Sequence, residues 1–254
     1  MTTEGDLKLV PRYRPESTVA TLTGTLTLAN YPELRDGVLK AAADAPESII
    51  ADIQGLEVDA DTLVTVFSVI AMRIGEWPGI PFAVVTDRPD HLARLAAQTV
   101  DRFVAVHPDV VAAERARDRP PRRRAVQLLA ASPRASALGR SFVERVCAQW
   151  GVPEHIEDAL MIATELVENA IVHTTSHPRL RLELRGGVFT VAVADDDPRA
   201  AVMRELPDRG DGGLGLQLVA RTARVWGCSR SWTGGKVVWA VLARSGRSRH
   251  DLGG

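Results

Sequence analysis

The sequence has 254 residues, of which 45% are hydrophobic and 25% are charged, with a formal net charge of −1 at neutral pH. This composition excludes a wholly disordered chain, because there are enough apolar side chains for a core. The small net charge excludes a protein that coats nucleic acid by bulk charge. The first 16 residues are unlike a signal peptide, and the longest apolar run, residues 62–72, is too short to span a bilayer. We therefore expect a soluble cytoplasmic protein without a membrane partner.

A segment rich in proline and arginine, residues 115–124, divides the chain. Pro120 and Pro121 cannot continue a helix, and the neighbouring arginines keep the segment solvated. A basic run can contact nucleic acid, but this one has no aromatic residues for base stacking, so a linker is favoured. The sequence predicts a first domain over residues 1–115, a linker over 116–124, a second domain over 125–243 and a flexible tail over 244–254.

The two halves carry opposite net charges. Residues 1–115 contain 10 Lys and Arg against 17 Asp and Glu, a net of −7, and residues 116–254 contain 21 against 15, a net of +6. Opposite charges can draw the halves together or steer outside partners, although unrelated drift of two surfaces gives the same numbers. One expectation is that the acidic half docks on the basic half, within one chain or in a dimer.

Strand and helix patterns alternate through the first half. Alternating β-branched residues over 17–28 predict a strand, or a hairpin bent at Gly24, and Asn30 with Pro32 indicates a helix start. The predicted elements are strands over 17–28, 48–53, 81–86 and 103–106 and helices over 30–45, 62–77, 89–99 and 108–115. Strands separated by helices indicate a mostly parallel sheet with helices packed on it, an α/β fold.

This order, together with the segments GTLTLANYPELRDGV, ADIQGLEVDADTL and FVAVHPDVVAA, resembles a STAS domain, the fold of anti-sigma-factor antagonists. In that family a Ser after the middle strand accepts phosphate from a partner kinase. Aligned through Asp52 and Gly55, that position holds Asp61, and Thr62 follows it. A carboxylate carries a fixed negative charge and cannot be phosphorylated by the same chemistry. The domain is therefore locked in a phosphorylated-like state, purely structural, or modified on Thr62 as a displaced acceptor.

The second half begins with a predicted strand over 125–130 and helices over 132–150 and 154–174. Apolar residues in the second helix recur at three- and four-residue spacing, which predicts one buried face. These residues are Ile156, Leu160, Ala163, Val167 and Ile171.

The same helix carries a polar stripe of Glu165, Asn169 and His173 at successive i, i+4 positions. Glu165 can orient or deprotonate a hydroxyl or water, and Asn169 offers a hard oxygen to Mg²⁺. His173 is suited to the negative end of the helix dipole. By itself, such a stripe is more typical of a solvated helix face.

Two further segments favour a functional site over a solvated helix face. Strands predicted over 179–184 and 188–194 lead to Asp195, whose carboxylate can accept a hydrogen bond from the amine of adenine or simply belong to an Asp-rich turn. A polar loop over 199–211 then runs into glycines and a helix over 214–225, where exposed backbone N–H groups favour an anion. Strands over 228–232 and 236–242 end the predicted fold.

The segments ELVENA, VADDDP, GGLGLQLV and GKVVW, in this order and spacing, resemble the anti-sigma-factor serine kinases of the GHKL superfamily, which has the histidine-kinase-like ATPase fold. The resemblance covers about residues 124–243 and implies a two-layer α/β sandwich that binds ATP and Mg²⁺. It implies that Glu165 is the catalytic carboxylate, Asn169 the Mg²⁺ ligand, Asp195 the adenine reader and residues 199–211 the ATP lid. The residues that it places on the nucleotide phosphates are Gly212, Gly213, Gly215 and Leu216.

Two positions depart from the superfamily. Asp-Asp-Asp-Pro at 195–198 stands where Asp-x-Gly-x-Gly is common, although this kinase branch often has the proline. Val237 stands where the family often has a Thr whose hydroxyl helps to bind adenine. One lost hydrogen bond costs about 0.5–1.5 kcal/mol, up to about tenfold in affinity, so weakened ATP binding is expected.

Together the resemblances imply a kinase that phosphorylates a Ser or Thr of a separate STAS-type antagonist and holds a sigma factor, in a partner-switching pathway that controls transcription. Related kinases form dimers, so a homodimer is also expected. A histidine autokinase is disfavoured, because no long phosphoacceptor helical hairpin precedes the second domain. The alternatives are a catalytically silent ATP- and protein-binding regulator or a simple ATPase switch, and Glu165 does not separate a kinase from an ATPase.

Overall fold

The computed structural model describes residues 6–116, 122–174, 176–199 and 215–242. The chain forms two compact units: the first comprises residues 1–119 together with Ser231–Thr233, and the second comprises residues 120–230 and 234–254. In the described ranges, no helix is both long enough and apolar enough to cross a membrane.

Within residues 6–116, the first unit is a five-stranded sheet with four α-helices. Strands β2 to β5 run parallel to one another, and β1 pairs antiparallel with β2 at the edge, in the order β1-β2-β3-β4-β5. The strands are β1 Lys8–Tyr13, β2 Thr18–Leu26, β3 Ile49–Val58, β4 Phe82–Val85 and β5 Ala105–His107. The helices are α1 Tyr31–Ala43, α2 Val66–Glu76, α3 Pro89–Ala97 and α4 Val110–Ala116. The predicted α/β fold with a mostly parallel sheet is confirmed, and β1 adds an antiparallel strand at its edge.

Three details of this unit differ from the sequence prediction. Strand β1 was not predicted, because its residues are mostly exposed and include Pro11, as suits an edge strand. The hairpin alternative is wrong: β2 continues through Gly24, whose φ is +91°, as one strand. The helix predicted over 62–77 begins as a 3-10 turn, Asp61–Thr65, and becomes α-helical at Val66.

The second unit is an antiparallel sheet covered by helices, as the two-layer prediction requires. The strand order is β6-β7-β8-β10-β9. The strands are β6 Arg122–Leu128, β7 Arg179–Arg185, β8 Val188–Asp195, β9 Val225–Arg230 and β10 Lys236–Val241. The helices are α5 Ala135–Trp150, α6 Ile156–His173 and α7 Gly215–Thr222. Helix α7 is shorter than the predicted helix over 214–225, because Val225 already belongs to β9.

Helix α6 packs into the core of the second unit on a face slightly rotated from the predicted one. Ala163 and Val167 are fully buried, as expected, and Ile162 and Leu166 join them. Ile156, Leu160 and Ile171 are only partly buried at the margin of this core. The rotation leaves the stripe with Glu165 and Asn169 at the boundary between the core and the surface, where a polar site can form.

Candidate active site

Helix α6 connects the elements that carry the predicted site residues. It packs against both β8 and α7. Glu165 and Asn169 lie one turn apart on it and are partly buried, whereas His173 in the last turn is exposed. The predicted polar stripe therefore becomes less exposed towards the middle of the helix.

The carboxylate of Glu165 lies directly against Gly215, the first residue of α7. A Cβ atom added at Gly215 would overlap Glu165 Oε2 and would lie 3.4 Å from its Cδ. Burial raises the pKa of Glu165, and the nearby negative charge of Glu168 raises it further. A carboxylate with a raised pKa is a stronger proton acceptor, as a general base requires.

The start of α7 presents backbone N–H groups at the positive end of a helix dipole, an arrangement that favours anions. Gly215 and Leu216 are the first two residues of this helix. The side chain of Leu216 packs in the hydrophobic core, so any contact that it makes with phosphate comes from its backbone. Gly212, Gly213 and the predicted lid after Arg199 lie outside the described residues.

Asp195 ends β8 as a buried carboxylate with one unused oxygen. Its Oδ1 accepts hydrogen bonds from Lys236 Nζ at 2.9 Å and from the backbone N–H of Asp197 at 2.9 Å. Its Oδ2 is buried and has no hydrogen-bond partner within the described part of the chain. Buried polar atoms are normally paired, so an unpartnered carboxylate oxygen fits a ligand that brings an amine donor.

The β8–β10 register determines which residue of β10 lies beside Asp195. Lys236 pairs with Asp195, and Val237 pairs with Ala194. Side chains alternate across a strand, so Asp195 and Lys236 share the face of Val193 and Val238, which belong to the core under the helices. Val237 lies on the opposite face and cannot stand beside Asp195. Lys236 therefore lies beside Asp195, and Val237 does not.

Lys236, which the sequence analysis did not single out, lies beside the predicted site residue Asp195. Its only sequence signal is its place between Gly235 and the last strand, and that signal does not indicate its partner. Gly235 has a φ of +71°, and a Cβ atom there would lie 2.7 Å from the Cα of Asp196. The glycine thus allows the start of β10 to approach the end of β8 closely, and this approach brings Lys236 to Asp195.

An open cleft of about 730 Å³ lies beside the end of α6 and the turn after β8. Asp196 and Asp197 line it, together with Ser176, whose Oγ accepts a hydrogen bond of 3.1 Å from the Asp196 N–H. Hydrogen bonds from Arg199 hold the pKa of Asp197 well below its usual range. The volume falls within the range of about 300–1,000 Å³ that is typical of small-molecule sites.

In the first unit, the turn that holds the predicted acceptor position is exposed. Asp61 and Thr62 begin the 3-10 turn, and both are exposed. Arg94 of α3 approaches Asp61 with Nε 3.4 Å from Oδ1 and donates a hydrogen bond of 2.6 Å to the carbonyl of Val58. The fixed negative charge of Asp61 therefore has a cationic partner in the folded unit.

Comparison with known protein families identifies the second unit. Residues 129–242 match the family of the histidine kinase-like ATPase domain. The second unit is therefore a histidine kinase-like ATPase domain, as its motifs predicted. No curated protein matches the chain.

Solved structures similar to this chain include anti-sigma-factor antagonists. One from Mycobacterium paratuberculosis is 17% identical, with 46% of this chain and all of that chain covered and a TM-score of 0.40. The Bacillus cell-fate determinant SpoIIAA in its phosphorylated form is 18% identical, with 44% and 100% covered and a TM-score of 0.33. SpoIIAA in its unphosphorylated form is 17% identical, with 43% and 95% covered and a TM-score of 0.35.

Proposed function

We propose that the histidine kinase-like ATPase domain of residues 129–242 binds ATP with Mg²⁺ and transfers the γ-phosphoryl group to a Ser or Thr of a separate STAS-type antagonist. We also propose that the chain holds a sigma factor and thereby controls transcription by partner switching. The observation that carries this proposal is the position of Glu165. Its partly buried carboxylate has a raised pKa and lies against the first residue of α7.

Each of the described site residues has a part in this chemistry. Glu165 accepts the proton of the attacking hydroxyl while the new O–P bond forms and the bond to the leaving ADP breaks. The backbone N–H groups at the start of α7 hold the phosphates, and Asp195 Oδ2, which has no partner among the described residues, holds the adenine amine. Asn169 would offer its amide oxygen to Mg²⁺, which neutralises phosphate charge when bound.

The partner class is inferred from the motifs of the second unit together with the form of the first. The motif set resembles that of kinases that act on STAS-type antagonists. Asp61 stands at the aligned acceptor position of this chain's own first unit, which supports a substrate Ser or Thr on another protein. The opposite charges of the two halves also support a basic kinase surface that attracts an acidic antagonist.

The test uses the full chain with γ-labelled ATP, Mg²⁺ and purified STAS-type antagonists that carry the acceptor Ser. Glu165→Gln keeps the size of the side chain but removes the base, so transfer should fall by about 10²- to 10⁴-fold while ATP binding persists. Glu157→Gln is the matched control, because Glu157 is an exposed carboxylate in the first turn of the same helix, two turns away from Glu165. It should leave transfer nearly unchanged.

Other outcomes separate the remaining functions. ATP binding without transfer or hydrolysis would support a catalytically silent regulator, and hydrolysis without transfer to any antagonist would support an ATPase switch. If neither wild type nor Asp195→Ala binds ATP, the nucleotide-binding proposal is refuted. Capture of a sigma factor by the immobilised chain, with and without Mg²⁺ and ATP, tests the second part of the proposal.

A further inference from the structure

The turn after β8, residues 196–199, is held by side chains that accept hydrogen bonds from its backbone N–H groups. Two of these bonds, each of 2.9 Å, go to carboxylates at residues 195 and 197, so they fix the shape of the turn from within. The proline of the turn has no N–H group. The remaining N–H group, that of Asp196, donates a hydrogen bond of 3.1 Å to Ser176 Oγ. Ser176 is therefore the acceptor that ties the N–H groups of this turn to a distant part of the chain.

Ser176 is itself joined to the end of α6 through Thr174. The backbone N–H of Thr174 donates a hydrogen bond of 2.9 Å to the carbonyl of Ala170 in α6. Thr174 Oγ1 accepts a hydrogen bond of 3.3 Å from the N–H of Ser176, and the two hydroxyl oxygens lie 2.9 Å apart. A continuous series of hydrogen bonds therefore runs from α6, through two hydroxyl groups, to the backbone of Asp196.

This series connects the two elements that carry the predicted site residues. Glu165 and Asn169 lie on α6, and Asp195 is the last residue of β8, directly before the turn. Ser176 and Asp196 both line the open cleft between these elements. The hydrogen bond between Ser176 and Asp196 therefore fixes how far the two sides of the cleft stand apart.

We infer that Ser176 is a positioning residue for nucleotide binding, which holds the turn after Asp195 at a fixed distance from α6. This inference rests on the proposed function, because it concerns the same site. Ser176 takes no part in the chemistry and acts through the backbone of Asp196. Without its hydroxyl, the turn keeps its bonds to Lys236 of β10, which donates to Asp195 Oδ1 and to the carbonyl of Asp197, but it loses its link to α6.

Substitution of Ser176 in the full chain tests this role. Ser176→Ala should raise the Kd of ATP with Mg²⁺ by about 3- to 10-fold, because one hydrogen bond no longer orders the cleft before the nucleotide binds. Ser176→Thr keeps a hydroxyl group and should restore binding to within about twofold of wild type. The matched control is Ser141→Ala, since Ser141 is an exposed serine on α5, and it should bind ATP as wild type does.

Kinetics separate positioning of the nucleotide from a general loss of structure. In the transfer assay, Ser176→Ala should raise the KM for ATP by the same factor and leave kcat within about twofold of wild type, because Glu165 and the start of α7 are not part of the series. Thr174→Val removes the hydroxyl that holds Ser176, so it should shift the Kd in the same direction. It keeps the test available if Ser176→Ala does not fold.

Three results would count against the inference. If Ser176→Ala, or Thr174→Val in its place, binds ATP as tightly as wild type, the inference is overturned while the proposed function stands. It is also overturned if kcat falls together with the rise in KM, or if Ser176→Thr binds as weakly as Ser176→Ala. If wild type binds ATP without transfer, the Kd values and the rescue by Ser176→Thr decide alone. If wild type binds no ATP, the proposed function fails as well.

Discussion

Gly215 should be required for the position of the Glu165 carboxylate, the proposed catalytic base, rather than for folding. In Gly215→Ala, the new Cβ overlaps Glu165 Oε2, and the oxygen must move by about 1 Å to reach the ordinary contact distance of 3.4 Å. The Cδ and Cβ atoms of Glu165, at 3.4 and 3.7 Å, already lie at ordinary distances. The strain is therefore confined to the end of a flexible side chain, which can rotate away.

The expected effect is large on activity and small on stability. A misplacement of about 1 Å in a catalytic group can cost about 10²-fold in rate, so we expect phosphoryl transfer to fall by about that factor. Replacing a helical Gly by Ala favours the helix by up to about 1 kcal/mol, so the free energy of unfolding should not fall. The measurements are single-turnover transfer from γ-labelled ATP and urea unfolding of the same preparations.

Gly139→Ala is the matched control, because Gly139 lies in helix α5 of the same unit. A Cβ atom there would meet Leu180 at 3.5 Å, an ordinary contact. This variant should keep wild-type transfer. The reasoning is refuted if Gly215→Ala transfers phosphate at a rate within threefold of wild type, or if it loses activity only because it unfolds.

Four further outcomes are expected. Gly235→Ala should have a lower free energy of unfolding than wild type, because Gly235 has a φ of +71° and its Cβ would meet the backbone of residues 195 and 196. Gly234→Ala should lose less stability, because a Cβ atom at Gly234 meets open space. Urea unfolding of the two variants compares the losses. Burial lowers the pKa of His91 in the folded protein, so the unfolded chain binds the proton at a higher pH than the folded chain does. The free energy of unfolding should therefore rise with pH up to about 6.5. In His91→Gln this dependence should be weaker, which urea titrations between about pH 5 and 7.5 measure. If Asp61 replaces the acceptor Ser, mass spectrometry after incubation with ATP and Mg²⁺ should find no phosphate on Thr62, and phosphate there would favour a displaced acceptor. If the acidic half docks on the basic half, the radius of gyration or the association state should change between low and high salt, and an unchanged value would indicate surface drift.

Local patterns were sufficient for most of the architecture. The spacing of apolar residues predicted α6 and the strand–helix alternation of the first unit, because burial of one face follows directly from a period of 3.6 or 2 residues. Strand β1 escaped prediction because an edge strand with few buried residues has no strong alternation. The change from a 3-10 turn to an α-helix at Val66 depends on packing, so the pattern over 62–77 could not show it.

For the candidate site, too, some features follow from the sequence and others from the tertiary structure. The sequence by itself determined which chemical groups are available, since the order of its motifs indicated Glu165, Asn169 and Asp195 and the ligand class that suits them. Only the tertiary structure decided that Lys236 rather than Val237 faces Asp195, because strand register is set by pairing between residues 41 positions apart. It also decided that Gly215 lies against Glu165, a contact between two packed helices that no local pattern encodes. Local sequence specifies the groups, and long-range packing specifies their neighbours, because only packing brings distant parts of the chain within bonding distance.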